Sequence, residues 1–116
     1  MIRIQDPEAK VSGQRPAVLI SGATHGNEYL HVEDRLPAHF LEVKPAGVRK
    51  FLAAGGFVYV VPIVNPDGYE HKRRGNAKGV DLNRDFDLVP TKDLRFHEAE
   101  SRALAGFFEK EFAEHD

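Results

Sequence analysis

The stretch Phe57-Val58-Tyr59-Val60-Val61-Pro62-Ile63 decides the fold of this chain of 116 residues. Its residues are apolar on both faces of an extended backbone, which is typical of a strand buried inside a sheet. A second apolar run, Ala17–Ser21, follows Pro16 and predicts another buried strand. Ile2 and Ile4 alternate with polar neighbours, a pattern that predicts a short edge strand.

Three helices are predicted between and after these strands. The first begins at Glu28 and carries an apolar stripe, and Pro37 is expected to end or kink it. The second covers residues 46–54 and stops at a Gly-Gly pair, and the third, over 98–114, is amphipathic. The stripe of the first helix consists of Tyr29, Val32, Leu36 and Phe40. This order of elements predicts an α/β layered sandwich with a mostly parallel or mixed sheet flanked by helices.

The composition is that of a globular domain with little net charge. The chain has 16 Lys+Arg and 18 Asp+Glu, a net charge of −2, and 41% hydrophobic residues. No run of about 20 apolar residues is present, and a near-neutral chain is a poor general binder of nucleic acid. We therefore expect neither a membrane nor a nucleic-acid partner. The first residues lack the pattern of a secretory signal, so we expect a cytoplasmic location. The sequence has no cysteine, so a metal would need His, Asp or Glu ligands.

The motif His25-Gly26-Asn27-Glu28 follows the first buried strand directly. Ligands of α/β proteins collect where parallel strands end, and an imidazole and a carboxylate are both zinc ligands. Because they lie three positions apart at the start of a predicted helix, His25 and Glu28 are predicted to converge on one point facing a cleft. The alternative is that Glu28 caps a helix while His25 lies in a solvated loop.

Two further motifs lie in a long irregular segment, residues 64–96. Asn-Pro and Asp-Gly within residues 65–68 predict a tight turn after the second buried strand. Residues 74–86, RGNAKGVDLNRDF, include Arg74, Asn83 and Arg84, whose donors suit a carbonyl oxygen or a carboxylate. The alternative is a solvated basic loop paired with Asp81, Asp85 and Asp87.

Taken in order, HGNE, NPDGY and RGNAKGVDLNRDF resemble the zinc carboxypeptidase (M14) superfamily. The third motif is most similar to the murein-peptide amidase and gamma-D-glutamyl peptidase branch. HGNE also resembles the succinylglutamate desuccinylase and aspartoacylase branch. The resemblance implies that His25 and Glu28 bind zinc, that Arg74 polarises the scissile carbonyl, and that Asn83 and Arg84 grip the free carboxylate of the substrate. These groups are expected to face one cleft.

The resemblance also implies two groups without a counterpart in this chain. They are a third zinc ligand, a histidine on a later strand, and a glutamate that acts as general base. We therefore expect residues 1–116 to be the N-terminal part of a single catalytic domain, truncated here. With two zinc ligands, the chain alone is expected to bind metal poorly and to be inactive.

The resemblance implies a zinc-dependent hydrolase that cleaves an amide bond next to a free carboxylate. Its substrate would be a peptide or an N-acyl amino acid. An N-acyl amino-acid deacylase would use the same groups on a smaller substrate, and a non-catalytic fragment would bind carboxylate-bearing peptides without cutting them. Because so short a chain buries a modest core, we also expect a homo-oligomer, with unpaired strand edges or apolar surface beside residues 57–63.

Overall fold

The computed structural model describes residues 1–11, 13, 15–29, 34–86 and 96–113, with side chains up to residue 111. Within them the chain forms strands β1 (Ile2–Ile4), β2 (Ala17–Ser21) and β3 (Phe57–Val61), in the spatial order β1-β3-β2. β1 is antiparallel to β3, whereas β2 is parallel to it, with Ala17 opposite Phe57. The predicted α/β fold with a mixed sheet is confirmed.

Strand β3 is the centre of the molecule because it is buried on both faces. Val58 and Val60 point to one face, where they form a core cluster with Ile4 and Leu52. Helices α1 (Arg35–Glu42) and α2 (Ala46–Ala53) cover this face through partly buried residues, namely Phe40, Val48 and Phe51. On the other face the ring of Tyr59 packs edge-on against Phe107 of helix α4 (Ala99–Ala113), with centroids 5.1 Å apart. The sheet therefore lies between two helical layers.

The sheet corrects two expectations about its strands. Residues Ala17–Ser21 do form a strand, but it is an edge strand in which no residue is fully buried, and Val18 is 44% exposed. β3 has a neighbour on each side, so the outward-facing edges among the described strands belong to β1 and β2. The unpaired edges expected beside residues 57–63 thus lie on β1 and β2 rather than on β3, whose pairing with Ile2–Ile4 could not be inferred from three residues. The apolar surface expected there is present as a cavity lined by Val61, Ile63 and Val64.

The first helix also differs from the prediction. Glu28 and Tyr29 are not helical, Val32 lies outside the described residues, and α1 begins at Arg35, after Asp34. Pro37 does not end this helix but is its third residue. A proline fits there because the amides of the first helical turn have no partner within the helix.

The remaining helices follow the sequence more closely. α2 ends one residue before the predicted boundary, and Gly55, in the left-handed region with φ of +90°, turns the chain towards β3. α4 begins at Ala99. The apolar stripe that the sequence predicts for it consists of Ala103, Leu104, Phe107, Phe108 and Phe112, and of these Phe108 is 47% exposed. The side chain of Phe112 lies outside the described residues. None of the helices described is long and apolar enough to cross a membrane.

Candidate functional site

The loops that follow β2 and β3 run side by side at one edge of the sheet. Beyond the last strand residues, the amide of Gly22 donates to Val61, and Val64 and Asn65 donate to the carbonyls of Gly22 and Ala23 at 2.9 and 3.1 Å. The two parallel strands thus deliver the first two motifs to the same place. This is the edge at which α/β folds gather ligands.

Asn65 fixes this arrangement, in a way that the turn prediction missed. Residues 65–70 form not a tight turn but a short helix, α3 (Pro66–Glu70), with Pro66 at its first position and Asn65 as its N-cap. The Asn65 side chain is fully buried, accepts from the amide of Gly68 at 2.9 Å and donates to the carbonyls of Thr24 and Arg74, each at 3.4 Å. An Asn followed by Pro is itself a signal for a helix start.

Two glycines let these loops approach closely. The amide of Gly26 donates to the carbonyl of Arg74 at 3.4 Å, and a Cβ atom at Gly26 would overlap the backbone of Gly68 and Tyr69. The first motif, helix α3 and the start of the third motif are therefore in direct backbone contact.

His25 and Glu28 lie side by side, as their spacing predicts. His25 is 8% exposed, and its Nδ1 is 2.9 Å from Oε1 of Glu28, whose side chain is 46% exposed. The amide of Glu28 also donates to the carbonyl of His25 at 3.1 Å, which closes a turn. The imidazole is thus held inside the protein while the carboxylate remains open to solvent.

Asp81 was predicted only as an ion-pair partner within a basic loop, but in the structure it is part of this site. Its Oδ1 lies 3.0 Å from Nε2 of His25, and its Oδ2 accepts from Nε of Arg74 at 3.0 Å. Oδ1 also accepts from the amide of Asn83 at 3.0 Å, so one carboxylate joins three predicted site residues. Its position two residues before Asn83, as a cap of the 3₁₀ turn Leu82–Arg84, was the available signal.

The charge of Asp81 is stabilised by these contacts. Burial by itself raises the pKa of the carboxyl, but the hydrogen bonds from Arg74, from His25 and from the amide of Asn83 outweigh it. The pKa of Asp81 therefore lies below its ordinary value. A negative charge is maintained between the imidazole and the guanidinium.

Asn83 and Arg84 are exposed on the 3₁₀ turn. Nη1 of Arg84 donates to the carbonyl of Asn83 at 3.3 Å, and the guanidinium otherwise extends from the surface. Among the contacts of the described residues, only the backbone of Asn83 links this pair to His25, through Asp81. Of the alternative ion pairs in a basic loop, the pair between Arg74 and Asp81 is present, and Asp87 lies outside the described residues.

The donor atoms at His25 suit zinc but are few. In the described part of the chain no group of three His, Asp or Glu residues is arranged to hold a metal ion. Nδ1 of His25 and Oε1 of Glu28 are both zinc donors and lie next to each other. When Nε2 donates to Asp81, the lone pair of the neutral ring is on Nδ1, and a carboxylate partner of this kind commonly orients a metal-binding histidine. The residues therefore fit a zinc ion as two of its ligands.

The chain is an α/β protein, since its mixed sheet lies between helical layers. Its polar side chains converge at the edge where the parallel strands end, and this edge is the candidate site. The chain belongs to the zinc carboxypeptidase family of M14 peptidases, whose family model matches residues 1–111. Among curated proteins, carboxypeptidase SOL1 of Arabidopsis thaliana is 30% identical over 110 residues. That match covers 90% of this chain and 22% of the relative, so the chain spans about a fifth of its length.

Solved structures support the same fold. A metallo-carboxypeptidase from Burkholderia cenocepacia superposes with a TM-score of 0.64 at 21% identity, over 93% of this chain and 28% of that one. The murein-tripeptide amidase MpaA from Escherichia coli O157 superposes with a TM-score of 0.54 at 25% identity, over 95% of this chain and 50% of that one.

Proposed function

We propose that this chain contributes part of the active site of a zinc-dependent hydrolase that cleaves an amide bond next to a free carboxylate. Residues 1–116 would form the N-terminal part of a single catalytic domain. The observation that carries the proposal is the environment of His25, with Glu28 at one ring nitrogen and Asp81 at the other. Arg74 donates to the same carboxylate of Asp81, so a positively charged guanidinium lies close to the two candidate zinc ligands.

In this proposal Nδ1 of His25 and a carboxylate oxygen of Glu28 hold the zinc ion. When bound, zinc supplies a Lewis acid and an acidified water. Asp81 accepts the Nε2 hydrogen of His25 and so orients the ring with Nδ1 directed at the ion. Because His25 is buried and Glu28 is exposed, the open side of the pair faces the substrate.

The remaining residues bind the substrate. Asp81 occupies only Nε of Arg74, whose side chain is 52% exposed, so the other donors of the guanidinium are available to a substrate carbonyl oxygen. They would stabilise negative charge that develops on that oxygen. Arg84 and Asn83 present a planar donor fork and an amide to the free carboxylate of the substrate. This recognition would restrict cleavage to bonds near a terminal carboxylate.

Catalytic zinc sites use three protein ligands and a base. Among the described residues His25 and Glu28 provide two ligands, and Asp81 is engaged on the far side of the imidazole. We therefore propose that the third ligand and the general base are contributed by residues outside the described part of this chain. The chain alone would bind zinc weakly and would not turn over substrate.

Zinc titration of the 116-residue chain tests the metal site. Competition with a chromophoric chelator should give weak binding that is lost in His25→Ala and in Glu28→Gln. His39→Ala, which removes an exposed histidine of α1, is the matched control and should bind as the unmodified chain does. Equal zinc affinity in His25→Ala and in the unmodified chain would contradict the assignment.

Activity assays test the substrate class and the incompleteness of the site. Peptides with a free carboxylate, their amidated counterparts and N-acyl amino acids are each incubated with the chain and Zn²⁺. We expect no turnover. Turnover that rises with zinc and disappears in Glu28→Ala would show that the site is complete within this chain. Cleavage of N-acyl amino acids but not of peptides would favour a deacylase.

A further inference from the structure

Asp85, the residue after Arg84, is turned away from the site and holds the start of α4. Its carboxylate is buried, with the residue 9% exposed. Oδ1 accepts from the amide of His97 at 3.0 Å, and Oδ2 accepts from the amide of Glu98 at 2.9 Å and from the hydroxyl of Ser101. A helix N-terminus favours a negative charge, so this contact between distant segments is stabilised by both hydrogen bonds and the helix dipole.

Asn76 makes a second connection to the same end of α4. It is 2% exposed, and its Nδ2 donates to Oε2 of Glu98 at 2.6 Å. Its Oδ1 accepts from the amides of Lys78 and Val80, each at 3.0 Å, and so closes the loop that begins there. Nζ of Lys78 adds an ion pair with Glu98 at 3.2 Å.

These two connections enclose the residues that the proposed function needs. Asn76 and Asp85 lie at the two ends of a segment that carries Asp81, Asn83 and Arg84, and Leu82 within it is fully buried. The side chains of Asn83 and Arg84 are exposed, whereas Asn76 and Asp85, at the two ends of their segment, both bond to the start of α4. We call Asn76, Asp85, Glu98 and Ser101 the α4 network.

We propose that Asp85 is a positioning residue, which holds Asn83 and Arg84 in the place where they bind a carboxylate. The role of that pair rests on the proposed function. Asp85 does not contact substrate, because both of its oxygens face α4. It acts through the backbone: Arg84 is its neighbour, and the amide of Asp85 donates to Leu82 at 3.0 Å, which closes the turn.

The variant Asp85→Asn tests this role with little change in volume. An amide has one acceptor oxygen where the carboxylate has two, so at least one of the three donors from α4 loses its partner. Ser101→Ala is the graded comparison, because it removes the hydroxyl and leaves both backbone donors of α4 on Asp85. Asp6→Asn is the matched control, since Asp6 accepts from the amide of Glu8 in an exposed turn and is not part of the α4 network.

The readout is a titration followed by ¹H–¹⁵N NMR, with N-acetyl-L-alanine as the carboxylate probe and N-acetyl-L-alanine amide as its blocked counterpart. In the unmodified chain we expect the acid, and not the amide, to shift the signals of Asn83 and Arg84. Asp85→Asn should raise the dissociation constant of the acid about tenfold. Ser101→Ala and Asp6→Asn should raise it by about twofold or less. The amides of α4 should remain protected from hydrogen exchange, which separates positioning from unfolding.

Each outcome decides something. If Asp85→Asn binds the acid as tightly as the unmodified chain, the positioning role is overturned and the proposed function stands. If the unmodified chain does not distinguish acid from amide, the carboxylate-binding role fails. In that case, faster exchange of the Asn83 and Arg84 amides in Asp85→Asn supports positioning, and unchanged exchange overturns it.

A second variant keeps the test valid if Asp85→Asn does not fold. Glu98→Gln retains an acceptor for Asn76 but weakens the ion pair with Lys78. It weakens the contact of the same segment with α4 at the Asn76 end. The dissociation constant of the acid should therefore rise about threefold. An unchanged affinity in Glu98→Gln would count against the α4 network as the positioning device.

Discussion

The carboxylate of Asp81 lies 3.0 Å from Nε2 of His25, on the opposite side of the ring from Glu28. Histidine ligands of metals are commonly oriented in this way, and removal of such a partner lowers metal affinity. The contact also joins the first motif of the sequence to the third, since the two residues lie 56 positions apart.

From this contact we predict that Asp81→Asn lowers the zinc affinity of the chain by about 10- to 100-fold. The asparagine keeps one acceptor near Nε2 but removes the charge that stabilises the tautomer and anchors Arg74. Chelator competition measures the effect. Asp67→Asn, at an exposed position in the first turn of α3, should leave the affinity unchanged. Equal affinities in the two variants would show that Asp81 does not support His25.

Because Gly26 lies against the backbone of Gly68, we predict that alanine at Gly26 destabilises the site, whereas alanine at Gly47 stabilises the fold. Gly26→Ala introduces a methyl group into the backbone of Gly68 and Tyr69, so the loops must separate and the zinc affinity should fall. Gly47→Ala, within α2, meets no atom within 4 Å and should raise the free energy of unfolding by about 0.5–1 kcal/mol. Urea unfolding and zinc titration of both variants check this. A stable Gly26→Ala chain with normal zinc binding would contradict it.

The contrast between predicted and observed features follows from the range of the interactions involved. Residues 57–61 could be predicted as the central strand because a strand buried on both faces needs apolar residues at every position, and this pattern is visible in the local sequence. The edge position of Val18 depends on which strands pair, and local periodicity does not encode this. The adjacency of His25 and Glu28 was predictable because the two residues lie only three positions apart in the sequence. Asp81 and Asp85 act on partners 56 and 12 to 16 residues away, so their roles became visible only in the folded chain.

The α4 network predicts an acid-sensitive stability. A hydrogen bond from Asn76 is the main cause that lowers the pKa of Glu98, and Lys78 adds to it. Burial raises the pKa of Asp85, but the hydroxyl of Ser101 and the amides at the start of α4 outweigh it and lower the pKa below its usual value. Both carboxylates are therefore more acidic in the folded chain than in the unfolded one.

Their contribution to stability is complete above the unfolded pKa values and is lost as the pH falls through the lower folded values. We expect the free energy of unfolding to decrease below about pH 4–4.5, the range of unperturbed Asp and Glu side chains. Urea unfolding between pH 3 and 6 measures the slope. The double variant of Asp85→Asn with Glu98→Gln should have a shallower slope than the unmodified chain. An unchanged slope in the double variant would refute this origin.

The apolar surface along α4 predicts self-association of the isolated chain. Two cavities of about 430 and 330 Å³ lie along this helix, share Leu104 in their walls and are not lined by His25 or Glu28. Phe108 lines the second and is 47% exposed. Burial of such a side chain contributes about 1.5–3 kcal/mol, so Phe108→Glu should raise the dissociation constant of a dimer at least about tenfold. Sedimentation velocity over a range of concentrations measures this constant.

Leu41→Glu, at a residue 52% exposed on the opposite helical layer, is the matched control and should associate as the unmodified chain does. An unmodified chain that stays monomeric at every concentration, or equal effects of the two variants, would show that this face of α4 does not drive association.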